Sequence, residues 1–300
     1  MSQIINLYES FKNECTCFVD EPMSKHTTFK VGGKADIILF PKSEEQIQKI
    51  ILECKNNNVK WQVIGNGSNL LVKDDGVRGA VMVVGSDMNN VFFENGLLVA
   101  QAGASLSSVC MTALNQSLGG LEFAWGIPGN VGGAIFMNAG AYGGEMKDVV
   151  HSVEFLDEEG VLHKLSNSQL EFSYRKSYFS DKKCVITKVY FSLEKSDPSQ
   201  IKAKMDDFIS RRRQKQPLEF PSAGSTFKRP NGNFAGALIE QCGLKGYSVG
   251  DAQVSEKHAG FVINRGNATY KDISKLICDI QNIVFEKTGY KLECEVKTIE

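Results

Sequence analysis

The chain has 300 residues, of which 42% are hydrophobic and 23% charged, and its 34 basic and 35 acidic residues give a net charge of −1. A chain of this length is expected to form about two domains with a large buried core. The balanced charge argues against a general nucleic-acid binder, which is basic overall or over one face. No apolar run reaches the ~20 residues of a membrane span, and no signal peptide is visible, so we expect a cytoplasmic protein.

The eight cysteines are scattered along the chain, and only Cys15 and Cys17 are close in sequence. No histidine lies near enough to them to complete a zinc pattern. We therefore expect unpaired thiols in a reducing compartment and no metal site.

In the first half of the chain, hydrophobic periodicity predicts both helices and strands. The predicted elements are a helix-prone lead-in over 1–22, a strand–turn–strand unit over 23–40, a helix from Ser43 to the asparagine run 56–58, strands at 61–64, 80–84 and 97–100, and a helix starting near Ser105. The spacing of Ser43 and Gln46 predicts a capping box.

In the second half, the composition changes at 215–233, which is rich in Pro, Gly, Ser and Asn and marks the start of a last domain. The predicted elements are strands at 149–156, 161–165 and 184–193, a helix around 201–209, a short helix at 235–241, strands at 253–254 and 260–263, a long helix from about Asp272, and a strand at 291–299. Hairpin-like strands with segregated helices predict the α+β class.

The stretch 119–144 holds nine of the 28 glycines together with large apolar side chains, so we expect it to be folded and buried rather than a flexible linker. One interpretation is that Gly132, Gly133 and Ala134 leave free amides facing a phosphate or a flat ring. The other is a glycine-packed crossing of the core.

The loop 65–71, GNGSNLL, follows a strand and offers amide and hydroxyl donors suited to a pyrophosphate. It is neither a Walker loop nor a Rossmann fingerprint, and a simple hairpin turn remains the alternative. Two separate loops that can bind anions suit a dinucleotide better than they suit a single phosphate.

Three further residues are candidates for chemistry. Arg175 lies among aromatic residues. Its guanidinium would hold a carboxylate, or its aliphatic stem would simply cover a hydrophobic edge. Ser225 lies on a glycine turn without the elbow of a serine hydrolase, where it could relay a proton. Glu295 alternates with apolar residues along a strand, a position at which most glutamates face solvent.

Seven motifs occur in a characteristic order along the chain: HTTFKVGGKAD, VIGNGSNLLV, GIPGNVGGAIFMNAGAYG, SYRKSYF, SAGSTFKRP, AGALIEQCGLKG and LECEV. With these motifs the chain resembles the UDP-N-acetylenolpyruvoylglucosamine reductase (MurB) family over 25–299. Several of the motifs are specific to that family.

The resemblance implies a lead-in at 1–24, an FAD-binding domain of the vanillyl-alcohol-oxidase (PCMH) type at 25–195 with subdomains 25–75 and 76–195, and a linker helix and substrate-binding domain at 196–300. The implied reaction belongs to peptidoglycan precursor synthesis. NADPH reduces FAD, and the reduced flavin converts the enolpyruvyl ether of UDP-N-acetylglucosamine to UDP-N-acetylmuramate.

The resemblance also implies site residues. Arg175 would hold the substrate carboxylate, Glu295 would assist as an acid, and Ser225 would protonate the incipient carbanion. Non-covalent FAD would contact Ile64, Gly65, Asn66, Gly67, Ser68, Asn69, Pro128, Gly129, Val131, Gly132, Gly133, Ala134, Asn138, Gly140, Ala141 and Tyr142. The substrate would contact Tyr174, Lys215, Lys228, Arg229 and Gln241. The resemblance implies no metal, nucleic-acid or obligatory protein partner.

The chain departs from the family pattern at two positions. Arg229 stands where many members have asparagine, so it either replaces that contact or points away, and Cys294 stands where a proline often precedes the glutamate. The interval between Arg175 and Ser225 is too short for a tyrosine-bearing lid, which implies the short subclass.

Two other functions are compatible with parts of the pattern. The first is a sugar or alcohol oxidase of the same fold, in which His26 or His151 would carry the flavin covalently. The second is a nucleotide-sugar sensor without turnover. The joint presence of Arg175, Ser225 and Glu295 argues against a sensor, which has no use for a proton donor.

Overall fold

The computed structural model describes residues 2–300 and divides into two compact units. The first unit comprises 2–19, 37–66 and 79–211, and the second comprises 20–36, 67–78 and 212–300. The chain passes between the units within the strands Thr16–Pro22, Lys34–Phe40 and Val77–Val83 and within the helix Pro198–Lys215.

The first unit contains a five-stranded antiparallel sheet, in the order Leu162–Ser166, Val150–Leu156, Val185–Phe191, Leu97–Gln101 and Val91–Glu94. Apolar residues such as Val153, Val189 and Phe191 are fully buried in this sheet. The chain also pairs Trp61–Ile64 in parallel with Ala80 to Val83. The two-residue strands of this unit are Leu118–Gly119 paired with Glu194–Lys195, and Gly140–Ala141 paired with Gly144–Glu145.

The helices of the first unit are Ser2–Phe11, Glu44–Asn56, Leu106–Asn115, Val131–Phe136 and the part of Pro198–Lys215 that ends at residue 211. Their apolar faces close the core of this unit. In Glu44–Asn56, for example, Ile47, Ile50 and Ile51 recur at helical spacing and are fully buried.

The second unit has its own apolar core. Its long helix Tyr270–Thr288 buries Ile273, Leu276 and Ile280 and ends at Gly289, whose φ of 74° lies in the left-handed region that glycine adopts without strain. The other elements of this unit are the helix Ala235–Gln241, a sheet in the order Ser248–Val249, Ala252–Val254 and Val262–Asn264, and Leu70–Val72 paired in parallel with Lys297–Ile299. Among residues 2–300, no helix is long and apolar enough to cross a membrane.

Most predicted helices and strands are confirmed within a few residues of their expected bounds, but three predictions are wrong in part. The helix-prone lead-in over 1–22 is helical only over Ser2–Phe11, because Thr16–Pro22 forms a strand. Of the strand–turn–strand unit over 23–40, only the second strand forms, because Met23–His26 is a short 3-10 helix. Of the closing strand 291–299, only Lys297–Ile299 joins a ladder. The edge strand Val91–Glu94 was not predicted, because its side chains are largely exposed and give no alternating apolar signal.

The cap at Ser43 forms, but the predicted capping box does not close as expected. The Ser43 hydroxyl accepts from the Gln46 amide at 3.3 Å. The Gln46 carboxamide oxygen, however, accepts from the amide of Lys42 at 2.8 Å, one residue before the expected donor. The side chain of Gln46 therefore still satisfies a donor at the start of the helix.

A complete capping box begins the long helix, where Thr269 and Asp272 exchange side-chain and backbone hydrogen bonds of 2.9 to 3.1 Å. We expect Thr269→Ala to lower the free energy of unfolding by about 1 kcal/mol, because the amide of Asp272 loses its acceptor. Thr269→Ser, which keeps the hydroxyl, should be close to the parent protein. Urea unfolding of both variants tests this, and equal stability of Thr269→Ala and the parent would contradict it.

Candidate functional site

The glycine-rich stretch 119–144 is folded and largely buried, as predicted. It contains the helix Val131–Phe136, and its apolar residues Leu121, Phe123 and Ile135 are each at most 5% exposed. The glycines allow neighbouring groups to pack closely. At Gly144, for example, a Cβ would lie 2.6 Å from the ring of Phe123. The stretch is therefore part of the core of the first unit.

The expectation of three free amides is wrong for two of the three residues. The amide of Gly132 donates to the carbonyl of Ala102 at 2.8 Å, and the amide of Ala134 donates to the carbonyl of Asn130 at 3.0 Å. Gly133 is exposed, and a Cβ built on it would meet no atom within 4 Å. The open side of this segment is therefore at Gly133.

The start of the predicted pyrophosphate loop touches the glycine-rich stretch. The side-chain amide of Asn66 donates to the carbonyl of Pro128 at 3.4 Å. A Cβ on Gly65 would lie 3.5 Å from Cβ of Asn130, whose side chain donates to the carbonyl of Val84 at 3.2 Å. Two segments some sixty residues apart are thus brought together, as expected for two loops that share one ligand.

A cavity of about 400 Å³ opens at this junction, within the first unit. Beside it begins the ten-residue helix Leu106–Asn115, whose cap Ser105 accepts from the amide of Ser108 at 3.1 Å. A helix N-terminus presents amides and a positive dipole end to an anion. The residues that line the cavity are Phe40, Gly65, Asn66, Val83, Gly85, Ser86, Asn89, Gly103, Ser105, Ser108 and Asn130.

The lining of the cavity fits a dinucleotide with a pyrophosphate. None of these lining residues carries a charge, so no carboxylate repels the phosphates, and the hydroxyl and carboxamide groups supply hydrogen bonds. The cavity depends on close main-chain approach, because a Cβ on Gly103 would lie 2.0 Å from the carbonyl oxygen of Gly85. Sequence motifs indicated Gly65 and Asn66 as ligands but gave no signal for Phe40, Ser86 or Asn89, which come from unrelated segments.

The remaining residues of the predicted pyrophosphate loop belong to the second unit. Gly67 is buried with a φ of 62°, and a Cβ on it would lie 2.1 Å from the carbonyl oxygen of His26. Ser68 is partly exposed. The side chain of Asn69 donates to the carbonyl of Glu295 at 3.2 Å, so this residue is tied to the last strand segment.

The segments that carry Ser225 and Glu295 lie beside each other in the second unit. The amide of Glu295 donates to the carbonyl of Thr226 at 2.8 Å, and Phe227 pairs with Cys294 in an antiparallel bridge. Ser225 is exposed and Glu295 is partly exposed, so both side chains can meet a ligand. The fold therefore brings the segments of these two predicted residues together, although 69 residues separate Ser225 from Glu295.

Thr226 anchors this arrangement. It is fully buried, its amide donates to the carbonyl of Gly260 at 2.9 Å, and its hydroxyl accepts from the amide of Val262 at 3.0 Å. Burial raises the pKa of the Cys294 thiol, which keeps this neighbour of Glu295 protonated and uncharged near neutral pH.

Arg175 lies in the first unit on a tight turn. Ser173 and Lys176 exchange backbone hydrogen bonds of 3.0 and 3.1 Å, which places Tyr174 and Arg175 at the tip. The guanidinium of Arg175 lies 5.1 Å from the ring centre of Tyr174 and donates to the carbonyl of Gly140 at 3.3 Å. The predicted aromatic setting is thus present.

The other predicted ligands on the flavin side differ in exposure. Ile64 and Val131 are buried, whereas Pro128 is exposed and Gly129, Gly140 and Ala141 are partly exposed. Tyr142 stacks on Phe208 with ring centres 4.5 Å apart, and its hydroxyl donates to the carbonyl of Phe208 at 3.1 Å. Asn138 is fully buried, and its side chain is bonded within the protein.

The predicted substrate ligands other than Tyr174 belong to the second unit. The ammonium of Lys228 pairs with the carboxylate of Glu293. The guanidinium of Arg229 lies 4.5 Å from the ring centre of Phe234, so part of its surface faces that ring. Lys215 and Gln241 are exposed at the C-terminal ends of their helices.

Known families match both parts of the chain. Residues 35–166 match the FAD binding domain family, and 216–299 match the C-terminal domain of UDP-N-acetylenolpyruvoylglucosamine reductase. A UDP-N-acetylenolpyruvoylglucosamine reductase of Caldanaerobacter subterraneus subsp. tengcongensis is 48% identical over 99% of this chain and 98% of its own. The chain belongs to the UDP-N-acetylenolpyruvoylglucosamine reductase (MurB) family.

Two further MurB proteins agree with this assignment. The reductase of Clostridioides difficile is 50% identical over 94% of this chain and 92% of its own length. The crystal structure of MurB from Thermus caldophilus superposes with a TM-score of 0.81 at 33% identity, over 96% of this chain and 99% of that one.

As a member of the MurB family, the chain is an FAD-containing, NADPH-dependent oxidoreductase of peptidoglycan precursor synthesis, a UDP-N-acetylmuramate dehydrogenase. The predicted fold is confirmed, with an FAD-binding domain of the PCMH type followed by the C-terminal domain of the family.

Gly103 and Gly133 allow a test of two roles of glycine, which are close main-chain packing at Gly103 and contact with FAD at Gly133. We expect Gly103→Ala to destabilise the FAD-free protein by about 1–3 kcal/mol, because the new methyl group collides with the main chain at Gly85. Gly133→Ala should leave the FAD-free protein as stable as the parent but raise the dissociation constant of FAD about tenfold, or 1.4 kcal/mol. Thermal unfolding and FAD fluorescence titration measure both, and unchanged FAD binding by Gly133→Ala would contradict contact at Gly133.

Proposed function

We propose that Arg175, Ser225 and Glu295 carry the reduction of the enolpyruvyl group in this enzyme. The observation that supports this most is the 2.8 Å hydrogen bond from the Glu295 amide to the carbonyl of Thr226, which brings the segment of the exposed Ser225 beside that of the partly exposed Glu295. The substrate that follows from the family is UDP-N-acetylenolpyruvoylglucosamine.

The chemistry that FAD supplies when bound is hydride transfer, from NADPH to the terminal carbon of the enolpyruvyl double bond. The protein has to stabilise the negative charge that this addition leaves on the carbon next to the carboxylate. That charge exists only near the transition state, so groups that are already oriented toward it stabilise the transition state more than the substrate.

Arg175 holds the substrate carboxylate in this proposal. A guanidinium is always charged and matches a carboxylate with two parallel hydrogen bonds. The turn that carries Arg175 is closed by two backbone bonds and its side chain is bonded to Gly140, so the group is oriented before substrate arrives.

Ser225 gives its hydroxyl proton to the carbon next to the carboxylate. Hydride on one carbon and a proton on the other reduce the double bond to the lactyl ether of UDP-N-acetylmuramate. A serine hydroxyl is a weak acid, but the carbon it protonates is a strong base, so proximity matters more than a shifted pKa. Glu295 assists from the adjacent segment by hydrogen-bonding to the carboxylate as an acid.

The flavin site in this proposal combines the cavity of the first unit with the segments 64–69, 128–134 and 140–142. The FAD is bound non-covalently. His26 lies 3.3 Å from a carboxylate oxygen of Glu21, and His151 lies 3.0 Å from the hydroxyl of Ser152, so both rings have protein partners. No observation favours the oxidase alternative.

The finer features of the enzyme follow from the sequence. The 49 positions between Arg175 and Ser225 contain one long helix, Pro198–Lys215, and leave little chain for a lid. We infer the short subclass without a tyrosine lid, with 25–195 as the FAD-binding domain and 196–300 as the substrate-binding part. We also infer a cytoplasmic enzyme, because its nucleotide-sugar substrate and NADPH are found there.

Ser225→Ala separates the two half-reactions. We expect the reoxidation of reduced flavin by the enolpyruvyl substrate to slow by about 10²–10⁴-fold, the usual contribution of a positioned proton donor. Flavin reduction by NADPH should stay within about twofold, since no proton from Ser225 is needed there. The matched control is Ser222→Ala in the same loop, which should leave both rates unchanged. Anaerobic stopped-flow absorbance measures the rates, and an equal loss in both half-reactions would contradict the role.

The mode of flavin attachment is tested by acid precipitation. We expect the purified protein to be yellow and all of its FAD to stay in the supernatant when the protein is precipitated with trichloroacetic acid. Colour retained in the pellet would show covalent attachment and revive the oxidase alternative. The His26→Ala and His151→Ala variants would then identify the attachment site.

A further inference from the structure

Asn138 is a fully buried polar residue inside the flavin-binding segment that follows the helix Val131–Phe136. A residue with no exposed surface in the absence of flavin cannot touch the flavin without a rearrangement. Its backbone φ of 41° lies in the left-handed region, which asparagine tolerates better than most residues. The side chain of Asn138 therefore has a structural role within the protein.

The carboxamide of Asn138 uses both of its donor hydrogens and its acceptor. The nitrogen donates to the carbonyl of Ser173 at 3.0 Å and to the carboxylate of Glu145 at 2.9 Å. The oxygen accepts from the amide of Lys147 at 3.0 Å. This set of partners fixes the orientation of the amide, since a flipped carboxamide would face two acceptors with its oxygen.

The partner Ser173 is the first residue of the turn that carries Arg175. That turn places Arg175 at a φ of 56°, and its last residue is joined to Ser173 by two backbone bonds. The buried hydroxyl of Ser177, just after the turn, donates to the carbonyl of Phe136 at 2.8 Å. The segment 136–140 thus makes three contacts with this region of the chain. Asn138 bonds to Ser173 before the tip, Gly140 accepts from Arg175 at the tip at 3.3 Å, and Phe136 accepts from Ser177 after it.

We propose that Asn138 is a positioning residue, which holds the turn of Arg175 against the flavin-binding segment through its hydrogen bond to the Ser173 carbonyl. This inference rests on the role of Arg175 proposed above. The side chain of Asn138 touches neither flavin nor substrate. It fixes where the guanidinium stands relative to residues 140–142, and therefore relative to the reacting group.

The variant Asn138→Asp removes this contact with little change of shape. Aspartate keeps the acceptor for the Lys147 amide but replaces both donors with a carboxylate oxygen that faces a carbonyl and the carboxylate of Glu145. The turn should move away from the repulsion. A displacement of the order of 1 Å at a binding group costs about 10²-fold in rate, so we expect substrate-driven flavin reoxidation to slow by 10–100-fold.

The matched control is Asn167→Asp. The carboxamide of Asn167 also donates to two carbonyls of the first unit, those of Lys147 at 2.8 Å and Val150 at 2.6 Å, and neither acceptor belongs to the turn of Arg175. We expect this variant to reoxidise its flavin within about twofold of the parent. If Asn167→Asp slowed reoxidation as much as Asn138→Asp, general loosening of the unit would explain both effects and the proposal would fall.

A double-mutant cycle with Arg175→Ala decides whether Asn138 acts through Arg175. We expect Asn138→Asp to add no more than about twofold once Arg175 is alanine, while FAD affinity and reduction by NADPH stay within twofold throughout. Equal slowing in both backgrounds, or a parallel loss of FAD affinity, would overturn the proposal. A normal reoxidation rate in Arg175→Ala alone would instead overturn the role of Arg175, so the two failures are distinguishable.

Asn138→Gly is the second variant, for use if the aspartate variant does not fold. Glycine accepts the positive φ without strain and removes the carboxamide without introducing a charge. We expect the same pattern in the cycle, with slowed reoxidation only where Arg175 is present. Reoxidation at the parent rate in Asn138→Gly would contradict the positioning role.

Discussion

The proposed roles of Ser225 and Glu295 depend on the hydrogen bond between the amide of Glu295 and the carbonyl of Thr226. It is one of a short series, with the bridge between Phe227 and Cys294 and the bond from the Lys228 amide to the Glu293 carbonyl at 2.8 Å. Thr226 and Phe227 are buried, so leaving the carbonyl of Thr226 without its donor would cost about 1–3 kcal/mol. The segment of Ser225 is therefore held in register with that of Glu295.

The flavin side depends on a different constraint, which is the close approach of main chains at glycine. A Cβ on Gly103 would lie 2.0 Å from the carbonyl oxygen of Gly85, and this lack of a side chain shapes the cavity beside the helix Leu106–Asn115. Asn138 belongs to the same unit. Its hydrogen bond to Ser173 joins the turn of Arg175 to the segment that follows the helix Val131–Phe136. Each unit thus fixes its own reactive groups before a ligand arrives.

The sequence predicted what depends on local pattern and left open what depends on distant partners. The long helix after Thr269 was predicted from its periodicity, which is a local signal. The alternation around Glu295 correctly indicated buried Leu292 and Val296, but not that only Lys297–Ile299 would find a ladder partner. The burial of Asn138 and the contribution of Ser86 to the cavity left no trace in composition, since both arise from segments that meet only in the folded chain. The motif resemblance indicated the residues, and the fold explains their arrangement.

The most direct test of the central claim is a crystal structure of the holoenzyme with its enolpyruvyl substrate. The account predicts the hydroxyl of Ser225 within about 3–3.5 Å of the carbon next to the carboxylate. It also predicts that Arg175 and Glu295 hydrogen-bond to that carboxylate, with the pyrophosphate of FAD beside Gly65 and Gly133. A substrate whose enolpyruvyl group lies beyond the reach of Ser225, or an FAD bound away from these two glycines, would contradict it.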